Sequence, residues 1–142
     1  MFMGESLHSL DAKGRITVPA KFREGLGAGF VATRGLDGCI FLYPMSEWKE
    51  LEEKVRNMPL TKADARSFAR FFFAGASELE MDRQGRILLT QTLREHAEIE
   101  KDVSLIGVDR RVEVWAADRW ESYSNVAEQS FEKIAENLDV GF

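Results

Sequence analysis

An α+β fold built from two tandem hairpin-helix repeats is the architecture the sequence predicts, on three observations. The first is an internal duplication. DAKGRITVPAKFRE at 11–24 returns as DRQGRILLTQTLRE at 82–95, matching Asp11, Gly14, Arg15, Ile16, Arg23 and Glu24 with Asp82, Gly85, Arg86, Ile87, Arg94 and Glu95. The match runs backward at the same offset, pairing Phe2, Gly4 and Ser6 with Phe73, Gly75 and Ser77. With one residue inserted it runs forward, pairing Val31, Gly35, Asp37 and Trp48 with Val103, Gly107, Asp109 and Trp120. The second observation is that short alternating segments and helical segments follow the same order in both halves. The third is size: 142 residues with 44% hydrophobic content suit one core rather than two independent domains.

Taken in chain order, residues 5–10 and 76–81 read as strands that lead into Asp-x-x-Gly-Arg. There the glycine can adopt the left-handed conformation of a tight, bulged hairpin, and Asp11 or Asp82 can bond the turn backbone. Arg15 to Val18 alternates polar and apolar, as a half-buried return strand does, so Ile16 and Val18 point inward. A short helix begins near Pro19, since proline suits a first helical turn. A second hairpin pairs Val31–Arg34 with Cys39–Tyr43, and its counterpart pairs 103–108 with 112–116. Ser46 is the expected N-cap of a helix over 47–57. Thr61 is the expected cap of a helix ending near Phe72, and Asp118 with Glu121 forms a capping-box pattern for a helix towards Asn137. The phenylalanines of FARFFF are expected in the core, with a subunit interface as a second use.

These segments give one domain over 1–142: a first repeat at 2–58, a linking helix at 59–72, a second repeat at 73–120 and an acidic C-terminal helix at 121–142. The lone Cys39 cannot form an internal disulfide, which favours a reducing compartment. The N-terminal stretch lacks the pattern of a secretion signal, and no apolar run approaches the roughly 20 residues that span a bilayer. A cytoplasmic, nucleoid-associated protein without a membrane partner is the expectation.

The net charge of −5 is unevenly spread. Seven acidic and two basic residues lie between Glu113 and Phe142, leaving the rest of the chain neutral. Within that neutral part, residues 11–24 hold Lys13, Arg15, Lys21 and Arg23 against Asp11 and Glu24. A lone arginine would read as a solvated residue, but Arg15 is mirrored by Arg86, and paired arginines at two turns form a surface able to lie along DNA. Arginine also pairs bidentately with guanine. Lys13, Arg15 and Arg86 are therefore the DNA-binding candidates. Lys21, Arg23 and Arg94 are expected to be solvated or in intramolecular ion pairs, and Arg66 and Arg70 in salt bridges along a helix.

Two other function classes compete. Catalysis is disfavoured, because His8 and His96 stand apart with no metal-ligand spacing, reading as surface or capping residues, and no phosphate-cradling loop is present. No cofactor, metal or small-molecule substrate is expected. An oligomeric protein-interaction scaffold without DNA binding is the alternative, since hairpin arginines also grip carboxylates.

Met-Phe-x-Gly at the start, Asp-x-Lys-Gly-Arg at 11–15 with Pro19 to Arg23 after it, Leu42-Tyr43-Pro44 before Trp48, Gly75-Ala76 and the second Asp-x-x-Gly-Arg at 82–86 together resemble the MraZ family. This is a group of bacterial transcriptional regulators in the AbrB-like, swapped-hairpin superfamily. The resemblance implies that tandem AbrB-like hairpin-helix repeats form a pseudo-twofold β-barrel with flanking helices, and that protomers assemble into a homo-oligomeric ring. It further implies binding of double-stranded DNA at direct repeats in the promoter of the division and cell-wall gene cluster. Lys13 and Arg15 of the first copy and Arg86 of the second are the contacts carried over by motif. The second copy departs in having Gln84 where Lys13 stands and Gln91 where the family often has proline.

Overall fold

The computed structural model describes residues 1–142. The first repeat runs β1 (Glu5–Ser9), β2 (Arg15–Thr17), α1 (Ala20–Leu26), β3 (Gly29–Arg34), β4 (Ile40–Pro44) and α2 (Met45–Arg56). After α3 (Ala63–Ala74) the same order returns as β5 (Ser77–Glu80), β6 (Arg86–Leu88), α4 (Gln91–His96), β7 (Asp102–Val108), β8 (Arg111–Ala116) and α5 (Ala117–Leu138).

The strands do not pair as simple hairpins at the two motifs. The turn itself is closed, with the Asp11 amide donating to the Arg15 carbonyl at 2.8 Å and the Gly14 amide to the Asp11 carbonyl at 3.0 Å. Beyond it the strands part: β1 pairs with β7, and β2 crosses to pair with β6. This corrects the local hairpin expected from the residues: strands are exchanged between the two repeats. Alternation specifies which face of a strand is buried; it carries no information on which neighbour supplies the ladder.

The result is a six-stranded antiparallel sheet in the order β1-β7-β8-β4-β3-β5 and a two-stranded β2–β6 ribbon. Ile16 lies opposite Ile87, and Phe41 opposite Glu113. In each pair the two residues hold equivalent places in the two repeats, so a pseudo-twofold axis passes through both. Sheet and ribbon enclose one core of mirrored residues, among them Ile16, Val18, Phe22, Leu42, Ile87, Leu89, Leu93 and Val114. The expected pseudo-twofold arrangement is therefore present, closed across the ribbon by packing rather than by a continuous hydrogen-bond ladder.

A second cluster covers the outer face of the sheet, where Val31, Phe41, Tyr43 and Trp115 pack with Trp48 and Val55 of α2 and Phe72 of α3. Burial on both faces explains why β3, β4, β7 and β8 read as near-continuous apolar runs. Of the four aromatic residues in FARFFF only Phe72 is buried; Phe68, Phe71 and Phe73 are exposed, which corrects the expectation that the run fills the core. Helical spacing allows one residue of three consecutive phenylalanines to face the sheet squarely.

The expected caps also differ. α2, α3 and α5 begin after Pro44, Lys62 and Ala116, none of which makes a side-chain cap, so Ser46, Thr61 and Asp118 do not serve as N-caps. In α2 and α5 the strand runs straight into the helix, and sheet geometry sets the start. The one side-chain cap is Thr90, the counterpart of Pro19, which accepts from the Leu93 amide at 3.3 Å at the start of α4. Arg66 donates to the Leu60 carbonyl at 3.0 Å instead of joining a salt bridge. No helix is long and apolar enough to cross a membrane.

Candidate nucleic-acid interface

The ribbon presents its outer face to solvent. Ile16 and Ile87 point into the core, so Arg15, Thr17, Arg86 and Leu88 share the opposite face, with Arg15 across from Leu88 and Arg86 across from Thr17. The ribbon is extended at both ends by the Val18 amide donating to the Gly85 carbonyl at 2.8 Å and the Leu89 amide to the Gly14 carbonyl at 3.1 Å. Gly14 and Gly85 thus lie four strand steps apart, about 13 Å at roughly 3.3 Å per residue. The two turns stand at opposite ends of one surface.

Each turn is built on its aspartate. One oxygen of Asp11 accepts the Lys13 and Arg15 amides, both at 2.9 Å, and the other accepts Arg15 Nε at 2.7 Å. Asp82 repeats this with the Gln84 and Arg86 amides at 2.9 Å and Arg86 Nε at 2.8 Å. These bonds, the Arg backbone amide foremost and its side chain next, hold both carboxyls below the ordinary aspartate range despite the opposing cost of burial. Gly14 and Gly85 close the turns at φ 79° and 75°, where an L side chain is strained.

The arrangement fixes each guanidinium by its Nε edge and leaves its Nη edge for an outside acceptor. Arg15 keeps that edge free of side-chain partners, whereas Arg86 Nη2 donates to Gln84 Oε1 at 3.0 Å. Lys13 projects from the first turn with no side-chain partner. The second turn has its free cation one residue earlier, at Arg83, which stands opposite Ala12 in the alignment of the two copies. Arg83 escaped motif matching because the charge is displaced by one place; counting charge per turn instead of per position would have found it.

Arg23 and Arg94 are not in ion pairs. Arg23 Nε donates to the Val18 carbonyl at 2.7 Å and Arg94 Nε to the Leu89 carbonyl at 3.1 Å. Lys21 Nζ donates to the Glu5 carbonyl at 3.2 Å. The histidines are half-buried, His8 Nε2 bonding Ser6 Oγ at 2.7 Å and His96 Nε2 the Gly35 carbonyl at 3.1 Å.

Residues 1–71 and 72–141 each match one family model, described as "MraZ protein, putative antitoxin-like". The chain belongs to the MraZ family. It is 64% identical over 138 residues to the transcriptional regulator MraZ of Natranaerobius thermophilus, covering 97% of this chain and 96% of that protein. It is 60% identical over 142 residues to the transcriptional regulator MraZ of Syntrophomonas wolfei, covering 99% of each. The MraZ model matches twice, once per repeat, as the duplicated motif predicts. The relatives' name is that of a regulator rather than an enzyme.

Proposed function

We propose that this protein is a sequence-specific DNA-binding transcriptional regulator that acts as a ring-shaped homo-oligomer on direct repeats in the promoter of the division and cell-wall gene cluster. One observation carries the reading: Arg15 and Arg86 share the outer face of a single antiparallel ribbon, related by the pseudo-twofold axis and each held by its own aspartate. A two-stranded ribbon is an element the major groove admits, and a guanidinium fixed at Nε can offer its remaining donors to guanine O6 and N7. Lys13 and Arg83 at the turn tips are suited to the flanking phosphates, which position without specifying. The acidic C-terminal segment is far in sequence from the two turns and does not neutralise them pairwise.

A single ribbon offers few phosphate contacts and binds weakly. Exposed apolar side chains on α3 and α5, including Phe71, Val126, Phe131 and Leu138, support self-association. Assembly sets several ribbons side by side, so that a second DNA repeat is engaged at the effective concentration of a tethered site. The bound protein then works on the chromosome, within the cytoplasm.

The test is fluorescence anisotropy with a labelled duplex from upstream of the protein's own gene and a scrambled duplex, at two salt concentrations. Tighter binding to the native duplex, weakening linearly on a log-log salt plot, is the expected result. Equal or absent binding to both would leave the scaffold reading in its place.

A further inference from the structure

Arg23 and Arg94 have no role in the reading above, yet each is set against the opposite repeat. A side chain at Gly14, in the first repeat, would meet the Arg94 guanidinium of the second: the Cβ position lies 3.2 Å from Arg94 Cζ and 3.3 Å from Nη1. At Gly85 the same space is filled by the guanidinium of Arg23, from the first repeat. The planes lie against the glycines where only a hydrogen-bearing Cα leaves room. Each is anchored through its Nε, since Arg23 binds the carbonyl of Val18, whose amide bonds Gly85, and Arg94 binds the carbonyl of Leu89, whose amide bonds Gly14. Neither has a carboxylate partner. Two half-buried arginines without counter-ions are therefore held flat beneath two turns that belong to the other half of the chain.

We infer that Arg94 positions the first DNA-reading turn and Arg23 the second, so that each repeat's reading turn is set by the other repeat. They are positioning residues, acting through Gly14 and Gly85. The inference rests on the DNA-binding reading for its functional consequence, while its structural part stands apart from DNA. Removing Arg94 should impair what Lys13 contributes and spare what Arg83 contributes; removing Arg23 should do the reverse. The coupling is crossed, opposite to what chain proximity would give.

The structural part is tested on the free protein by amide hydrogen exchange in Arg94→Gln and Arg23→Gln, with Arg94→Lys and Arg23→Lys as milder variants that retain charge but lose the planar fork. Faster exchange confined to the Lys13, Gly14 and Arg15 amides in the Arg94 variants, and to Gln84, Gly85 and Arg86 in the Arg23 variants, is expected. Loosening of the turn in the same repeat, or equal loosening of both turns, would overturn the inference whether or not DNA binds. The functional part is a double-mutant cycle on the native duplex. Arg94→Gln should weaken binding about tenfold, the scale of coupling between residues in contact. That loss should persist undiminished in an Arg83→Ala background and be smaller in a Lys13→Ala background, where only the Arg15 part of the first turn remains to be disturbed. Equal losses in both backgrounds, or full rescue by Arg94→Lys, would show a plain electrostatic contribution and no positioning. Crossed exchange with no preference for the native duplex would instead retain the bracing and remove the DNA-binding reading.

Discussion

Asp11 performs a task that simple electrostatics would count against it. Its charge opposes phosphate, yet its two oxygens hold the Lys13 and Arg15 amides and Arg15 Nε in one geometry. Asp11→Ala removes a negative charge from the proposed DNA-binding surface and should nevertheless lower specific affinity, about tenfold or more, because the guanidinium loses its orientation. Arg15→Ala should abolish specific binding while the thermal midpoint stays near that of the wild type, its side chain lying outside the core. Anisotropy with native and scrambled duplexes separates these outcomes from general charge effects; a tighter-binding Asp11→Ala would refute the positioning role. The same bonds set an acid limit. Because Asp11 and Asp82 titrate lower in the folded chain than in the unfolded one, their contribution is complete above the ordinary aspartate pKa of about 3.9 and is lost as the pH falls through the lower folded values. Protection of the Lys13, Arg15, Gln84 and Arg86 amides, relative to their intrinsic exchange rates, should therefore hold at pH 5 and fall only below about pH 4.

A different residue shows burial as the leading cause. Cys39 is fully buried, its thiol donates to the Leu36 carbonyl at 3.2 Å, and burial together with the nearby Glu113 carboxylate pushes its pKa up to about 12. Glu113 itself is held by Arg111 Nε at 2.9 Å and by Trp115 Nε1 at 3.1 Å. The thiolate is the reactive species, so Cys39 should resist a maleimide or disulfide reagent at pH 8 until denaturant is added. Rapid labelling of the native protein would show that the outer cluster opens readily. At this scale the motif was legible because Asp, Gly and Arg each have a distinct backbone or charge role at fixed spacing. The roles of Arg23 and Arg94 were not, since the glycines they pack against lie in the other repeat.

Among elements, strands were easier to read than helix starts. Alternation marked β2, and the duplication with its turns placed the other strands closely, whereas Ser46, Thr61 and Asp118 looked like caps only because suitable residues stood near the right places. Helix α5 marks the further limit of pattern. It has no buried residue, and beyond Trp120, which packs on the outer cluster, its apolar positions Ala127 and Ile134, with Phe131 and Leu138, recur at heptad-like spacing along a face with no core beneath it. A stop after Asn125 retains Trp120 and Tyr123, which pack against Trp115, and removes the exposed stretch. That truncation should leave the thermal midpoint within a few degrees and reduce the oligomer mass seen by light scattering. An unchanged mass would move the assembly surface to α3. Unchanged DNA affinity per protomer would also show that the acidic tail does not compete for the basic turns.

At the scale of the molecule, the duplication revealed two equivalent halves but not how they exchange strands, because cis and trans pairing bury the same residues. The distinction has a measurable consequence. In the intact chain β2 finds its only ladder partner in β6, β1 in β7 and β5 in β3, so every strand on either side of the two motif turns is satisfied by the opposite repeat or by a central hairpin. Residues 1–71 alone would leave β1 and β2 unpaired, and would expose the core faces of Ile16, Val18, Phe22, Phe30 and Leu42, which the second repeat covers. Unpaired buried backbone and uncovered apolar surface both disfavour that state. The isolated half has one way to restore both: a second copy of itself can take the place of residues 72–142, because Ile16 faces its own equivalent, Ile87, across the axis. The fragment 1–71 should therefore be largely unfolded at low concentration by circular dichroism and gain structure only as it dimerises, with a midpoint that rises with concentration. Mixing it with 72–142 should favour the heterodimer, since Phe41 meets Glu113 and its partner Arg111 only in the mixed pair, where the Arg111 guanidinium lies 4.0 Å from the centre of the Phe41 ring. A folded, monomeric 1–71 with a concentration-independent midpoint would require β2 to pair within its own repeat, and the exchange between halves would not be what holds the fold together.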